Sequence, residues 1–114
     1  MRLRSQIWIL SLLFLLPLSM LAGEKGDAAS GKTLYGRCSI CHGPSGEGNE
    51  AMAKAYGVKI PELGSKEIQA LDDAALKKVI AEGKGKMQPV KLSDAEMNDI
   101  IAFMRSLKKP MPKQ

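Results

Sequence analysis

The amino-acid sequence predicts an all-α fold, three to four short helices joined by loops. Three observations lead there. Apolar residues near the C-terminus recur at helical spacing: Met97, Ile100, Ile101, Met104 and Leu107. Residues whose side chains cap helices stand where helices should begin, at Asp27, Ser65, Asp72 and Ser93. No stretch alternates polar and apolar residues over the length of a strand, and no internal repeat is visible.

Residues 1–22, "MRLRSQIWILSLLFLLPLSMLA", open with Arg2 and Arg4 and run almost wholly apolar from Ile7 to Leu16. Pro17 breaks the run, and the small residues Ala22 and Gly23 follow, which is the pattern of a secretory signal peptide. The apolar run is shorter than the ~20 residues of a membrane-spanning helix. Met20 or Leu21 stands where cleavage prefers a small residue, so an uncleaved membrane anchor is the rival expectation. No cysteine follows Ala22, which excludes a lipoprotein anchor.

Residues 23–26 read as a linker, 27–107 as the domain and 108–114, "KKPMPKQ", as a flexible tail. Asp27 caps a first helix through "AASGKTLYGRC", in which Ala28, Gly31, Tyr35 and Cys38 share one face. Gly31 costs that helix roughly 0.8–1 kcal/mol against Ala, which a close helix–helix contact would justify. "GPSGEGN" is a glycine-rich loop without a preceding strand or a P-loop pattern, so no phosphate site is expected. Ser65 caps a short turn, "KEIQAL". Asp72 opens "DAALKKVIAEG", with Leu76, Val79 and Ile80 inward and Gly83 as its stop. "SDAE" at 93–96 is a capping box that opens the last helix, ending at Leu107.

Without residues 1–22, fifteen Lys/Arg face twelve Asp/Glu, a net charge of +3. That balance is too mild and too mixed for a nucleic-acid binder. Only three aromatics remain: Tyr35, Tyr56 and Phe103. A domain this small draws roughly 3–5 kcal/mol from its own core and usually needs a staple. Something other than side chains should fill the middle.

The chain's two cysteines and its single histidine all fall within "CSICH", Cys38 to His42. A disulfide across so short a loop is a weak staple and leaves His42 without a role. A closed zinc site takes four ligands, and only three are present. A thioredoxin-like redox pair belongs after a strand, whereas the sequence before Cys38 is helical. Covalent haem attachment accounts for all three residues, because C-x-x-C-H is its direct signature. Two thiols three residues apart reach two vinyl groups on one side of a porphyrin, and the next residue places an imidazole under the iron.

With these motifs the chain resembles the small monohaem class I cytochromes c. The resemblance runs from about Asp27 to Leu107 through "GKTLYGRCSICHGPSGEG", "IPELGS", "KGKMQPV" and "MNDIIAFMRSL", in that order. CSICH is the specific part. The resemblance implies a cytochrome c-like fold wrapped around one haem c, bound through Cys38 and Cys41. It also implies that the first and last helices cross, with Phe103 on Gly31 and Tyr35. The second ring nitrogen of the proximal His42 is then expected to donate to a proline carbonyl, that of Pro61 or alternatively Pro44.

With one histidine in the chain, the opposite axial position falls to methionine, lysine, solvent or nothing. Met97 and Met104 lie on the periodic face of the last helix and read as core. Met111 sits between two prolines in the tail, and Met52 reads as helix or loop. Met87, 45 residues after His42, follows "EGKGK" and precedes "QPV", so glycine and proline hold it outside any helix or strand. Met87 is therefore the expected distal ligand, with packing under the loop as the rival reading.

The function expected is electron transfer by an exported carrier of the periplasm or an equivalent compartment, not an enzyme. His/Met ligation leaves no open position for a substrate. Lys84, Lys86 and Lys91 flank the Met87 loop and read either as a solvated rim or as a positive surface for a redox partner with an acidic docking surface, which Lys54, Lys77 and Lys78 would join or face away from. An electron-transfer subunit of a larger periplasmic or membrane oxidoreductase is the alternative, and a haem-based ligand sensor a more distant one. No nucleic-acid partner is expected, and a membrane only if residues 1–22 stay attached.

Overall fold

A computed structural model of the chain describes residues 25–109. The expected signal peptide (1–22), the start of the linker and residues 110–114 of the tail, Met111 included, lie outside the described residues.

Helix α1 spans Ala28–Leu34, and its cap Asp27 accepts hydrogen bonds from the Ala29 amide (2.9 Å) and the Ser30 hydroxyl (3.2 Å). The chain then tightens into a 3-10 turn, Tyr35–Arg37, before α2, Ser39–His42. A continuous first helix through Cys38 was expected. The break arises where the Cys38 amide donates to the Tyr35 carbonyl (2.8 Å), the shorter 3-10 pairing, around a Gly36 that favours helix poorly. Next come α3, Glu50–Tyr56, capped by Asn49, and α4, Lys66–Gln69, capped by Ser65. Helix α5, Asp73–Glu82, starts at Asp72, and α6, Asp94–Ser106, starts at the full capping box of Ser93 and Glu96.

The all-α expectation holds. Among the described residues there is no strand, only an isolated bridge between Lys84 and Met87. The helices number more than the three to four expected because α2 and α4 are four residues each, and because the Met52 stretch, left open as helix or loop, is the helix α3. No helix among the described residues is long and apolar enough to cross a membrane.

Helix α1 crosses α6 at backbone contact. A Cβ on Gly31 would overlap the Asp99 carbonyl and come within 2.9 Å of the Phe103 Cβ. Gly26 meets the Asn98 carbonyl in the same way, and the Asp27 amide donates to Asp99 Oδ1 (2.7 Å). The missing side chains allow the crossing, and the expected reason for Gly31 is met. Phe103 lies against Gly31 and stacks on Tyr35, ring centroids 4.9 Å apart and tilted by 53°. Around that pair gather Leu63, Leu76, Ile80, Met97, Ile100, Ile101 and Met104.

The end of α4 and the segment after it are tied to the same helix by polar bonds. Gln69 donates to the carbonyls of Leu63 and Met104 (2.9 Å each). Arg105 donates to the carbonyls of Gln69 (3.0 Å) and Leu71 (2.6 Å) and pairs with Asp73 (2.7 Å). Helix α6 is thus the spine on which both halves of the chain are mounted.

Candidate functional site

The attachment motif occupies one turn. Cys38 caps α2 and Cys41 and His42 close it, so the two thiols sit three residues apart on one helical face. Both cysteines are free and half-buried, and Cys38 packs on the core. Burial pushes the Cys38 thiol up, against the opposing pull of Arg37, so it is held protonated at neutral pH.

A four-residue helix cannot satisfy its own last carbonyls. Here the following loop does it. The Asn49 side chain donates to Ile40 O (3.0 Å), the Asn49 amide to Cys41 O (2.8 Å) and the Gly48 amide to His42 O (2.7 Å). The Tyr35 hydroxyl donates to Gly43 O (2.6 Å). The loop turns back through left-handed backbone at Gly46 and Gly48 (φ 72° and 85°), where glycine is needed. Asn49 was missed in the sequence. Its signal was an N-cap residue standing before the helix-forming run "EAMAKAY".

His42 is half-buried, and burial lowers its imidazole pKa, favouring the neutral ring that binds a metal. Its Nδ1 is buried without a hydrogen-bond partner. The proline acceptor expected for the ring is therefore not engaged. Pro44 and Pro61 are both exposed, and the chain beyond Pro61 is drawn instead to Gly46, whose carbonyl accepts from the Leu63 amide (2.8 Å). Two thiols and a neutral imidazole with an unpaired buried nitrogen, all on one turn, are a donor set that fits haem c.

Met87 lies on a separate turn. Lys84 and Met87 exchange both backbone hydrogen bonds (3.0 Å each), with Gly83 and Gly85 in left-handed backbone at φ 77° and 58°. Met87 is half-buried and packs on the same core as Cys38, which is the link between the two turns. Met97 and Met104 are buried in that core from α6, as their periodicity predicts. Met52 is half-buried on α3. Lys84, Lys86 and Lys91 are exposed, while Lys54 pairs with Glu50 (3.0 Å) and Lys77 donates to Asn98 (2.6 Å).

Two surface depressions, of about 460 and 630 Å3, lie beside α3 and between α5 and α6. Neither is lined by Cys38, Cys41, His42 or Met87.

An all-α domain in which α1 crosses α6, with a C-x-x-C-H turn following α1, accords with a haem-binding electron-transfer protein. The Cytochrome c family model matches residues 28–108, and the chain belongs to that family. The matched span takes in the attachment turn, the Met87 turn and α6. No curated protein and no solved structure gives a significant match.

Proposed function

We propose that the protein is an exported single-electron carrier holding one haem c through Cys38 and Cys41, with His42 and Met87 as axial ligands. The observation that carries this reading is the α2 turn, which presents two free thiols and a neutral imidazole from residues 38–42. The haem supplies a one-electron ferric/ferrous couple. The chain's own residues determine how that couple behaves. The two cysteines fasten the group, so it is not lost between encounters. His42 would supply an imidazole nitrogen to the iron. Met87 would supply a thioether, a ligand that raises the reduction potential and suits a carrier that binds no substrate. The family consists in general of carriers rather than enzymes, in keeping with this.

Export is supported by the signal-like residues 1–22 and by the need of haem c attachment for an extracytoplasmic setting. The exposed Lys84, Lys86 and Lys91 support docking to a redox partner with an acidic surface, since a positive rim speeds such encounters. A second reading, an electron-transfer subunit tethered to a membrane oxidoreductase, is favoured by the poor cleavage residues Met20 and Leu21.

The test is denaturing mass spectrometry of protein exported from a host with haem-attachment machinery, on soluble and membrane fractions separately. The expected mass is the chain lacking its leader plus one haem, in the soluble fraction. A bare polypeptide, or one lighter by two hydrogens, sinks the haem reading in favour of free thiols or a disulfide. A haem-bearing, full-length chain in the membrane fraction favours the tethered subunit.

A further inference from the structure

The loop after the attachment turn closes on it through one residue with three distinct bonds. The Asn49 Nδ2 donates to Ile40 O at 3.0 Å, its backbone amide donates to Cys41 O at 2.8 Å, and its Oδ1 accepts from the Met52 amide at 3.2 Å. We propose that Asn49 is a positioning residue, which orients His42 by holding the carbonyl end of the attachment turn while it caps α3. The proposal rests on haem attachment at that turn.

Three features lead to it. First, Ile40 in the middle of the motif has no side-chain anchor: the residue is 63 % exposed, so packing against other side chains does not hold it, and the neighbouring Ser39 hydroxyl donates to Gly36 O (2.7 Å), not into the loop. Backbone bonds must. Second, α2 is too short to satisfy the carbonyls of Ile40, Cys41 and His42 internally, and all three receive donors from the two consecutive residues Gly48 and Asn49. His42 is the last residue of that helix, and its carbonyl is held by the Gly48 amide (2.7 Å) beside the Asn49 bonds. The orientation of its ring therefore depends on the backbone that carries it.

Third, the chemistry demands an amide. The side chain must accept from Met52 and donate to Ile40 at once, and a short primary amide does both. Aspartate caps a helix as well as asparagine does. Here it would set a carboxylate against the Ile40 carbonyl oxygen. Serine also caps, but has no arm left to reach Ile40. Substitutions that are equivalent for a helix cap are thus inequivalent for this site.

The experiment uses the haem-loaded protein, isotopically labelled, after mass spectrometry has established one haem on the wild type. In wild type the Asn49 side-chain amide protons should exchange slowly with solvent. Asn49→Ser and Asn49→Asp should both keep the wild-type exchange protection of the Met52 amide. Both should shift the paramagnetically displaced ring signals of His42 in the ferric protein, and Asn49→Ser, which adds no charge, should also shift the reduction potential. If Asn49→Ser yields too little protein, Asn49→Asp is judged on the ring signals alone, because its new charge moves the potential by itself. Ring signals unchanged from wild type overturn the positioning role, as does a shift that appears only with loss of Met52 protection. A wild type without haem overturns the haem reading itself, a different result from a haem-loaded variant whose His42 signals do not move.

Discussion

The Tyr35 hydroxyl donates a 2.6 Å hydrogen bond to the carbonyl of Gly43, the residue immediately after His42. The same ring stacks on Phe103, so one side chain links α6 to the attachment turn. Burial is the main reason that the Tyr35 pKa is pushed up to about 12. The folded state thus disfavours the phenolate. The stability this contributes is complete below the unfolded value near pH 10 and is lost as pH rises to about 12.

Tyr35→Phe should therefore cost about 1 kcal/mol at pH 7, the usual net worth of such a bond, since Gly43 O keeps the Gly46 amide as a weaker donor. Denaturant melts at pH 7, 9 and 11.5 check both parts. Wild type should lose more stability than the variant between pH 9 and 11.5. Equal losses would mean that another group governs the alkaline limb.

Gly31→Ala and Gly36→Ala should act in opposite directions. A Cβ at Gly31 meets the Asp99 backbone carbonyl, which cannot move without shifting α6, and such overpacking costs about 1–3 kcal/mol. The gain in helix propensity, at most about 1 kcal/mol, does not offset it. Gly36 faces open space at ordinary φ, so alanine there should be neutral or stabilise by up to about 1 kcal/mol. Thermal melts should separate the pair by several degrees, because ~1 kcal/mol shifts a domain of this size by roughly 4–8 °C. A Gly31→Ala protein at least as stable as wild type would refute the backbone-contact account.

Cys38→Ala/Cys41→Ala protein should be largely unstructured. Among the described residues the core comprises nine buried hydrophobic side chains, and even the deepest, Tyr35 and Ile101, keep 3 % of their surface exposed. Two aromatics among nine bury too little apolar surface to overcome the chain entropy of a domain this small. Circular dichroism of the variant should show weak helicity and no cooperative transition. A full helical signal with a sharp melt would show that the core stands without haem.

Met87→Ala should open the iron to cyanide and carbon monoxide, abolish the weak near-infrared sulfur-to-ferric band and lower the reduction potential. Met52→Ala, on α3, should leave all three close to wild type. Loss of the band in Met52→Ala but not in Met87→Ala would reassign the ligand while keeping the haem. A wild type that lacks the band and binds carbon monoxide readily would move the protein from carrier toward sensor or enzyme.

Features that depend on neighbours in the chain were legible in the sequence. Asp27, Ser65, Asp72 and Ser93 each cap the helix they precede, because a cap is a bond to an amide two or three residues on. That Cys38, Cys41 and His42 share one turn was legible for the same reason, since three residues span one helical turn. The 3.6-residue period placed Met97 and Met104 in the core before any fold was known. Tertiary structure decided the rest. Helix α3 has seven residues and no apolar stripe, so periodicity gave no sign of it, and Asn49 appeared as loop until its side chain met Ile40. The first helix broke at Tyr35, where the ring turns toward both Phe103 and Gly43. The course of the chain beyond Pro61 is set by the Leu63 amide's bond to Gly46 O, seventeen residues away. Such bonds join residues that no local pattern relates, and only the folded packing around α6 brings them together.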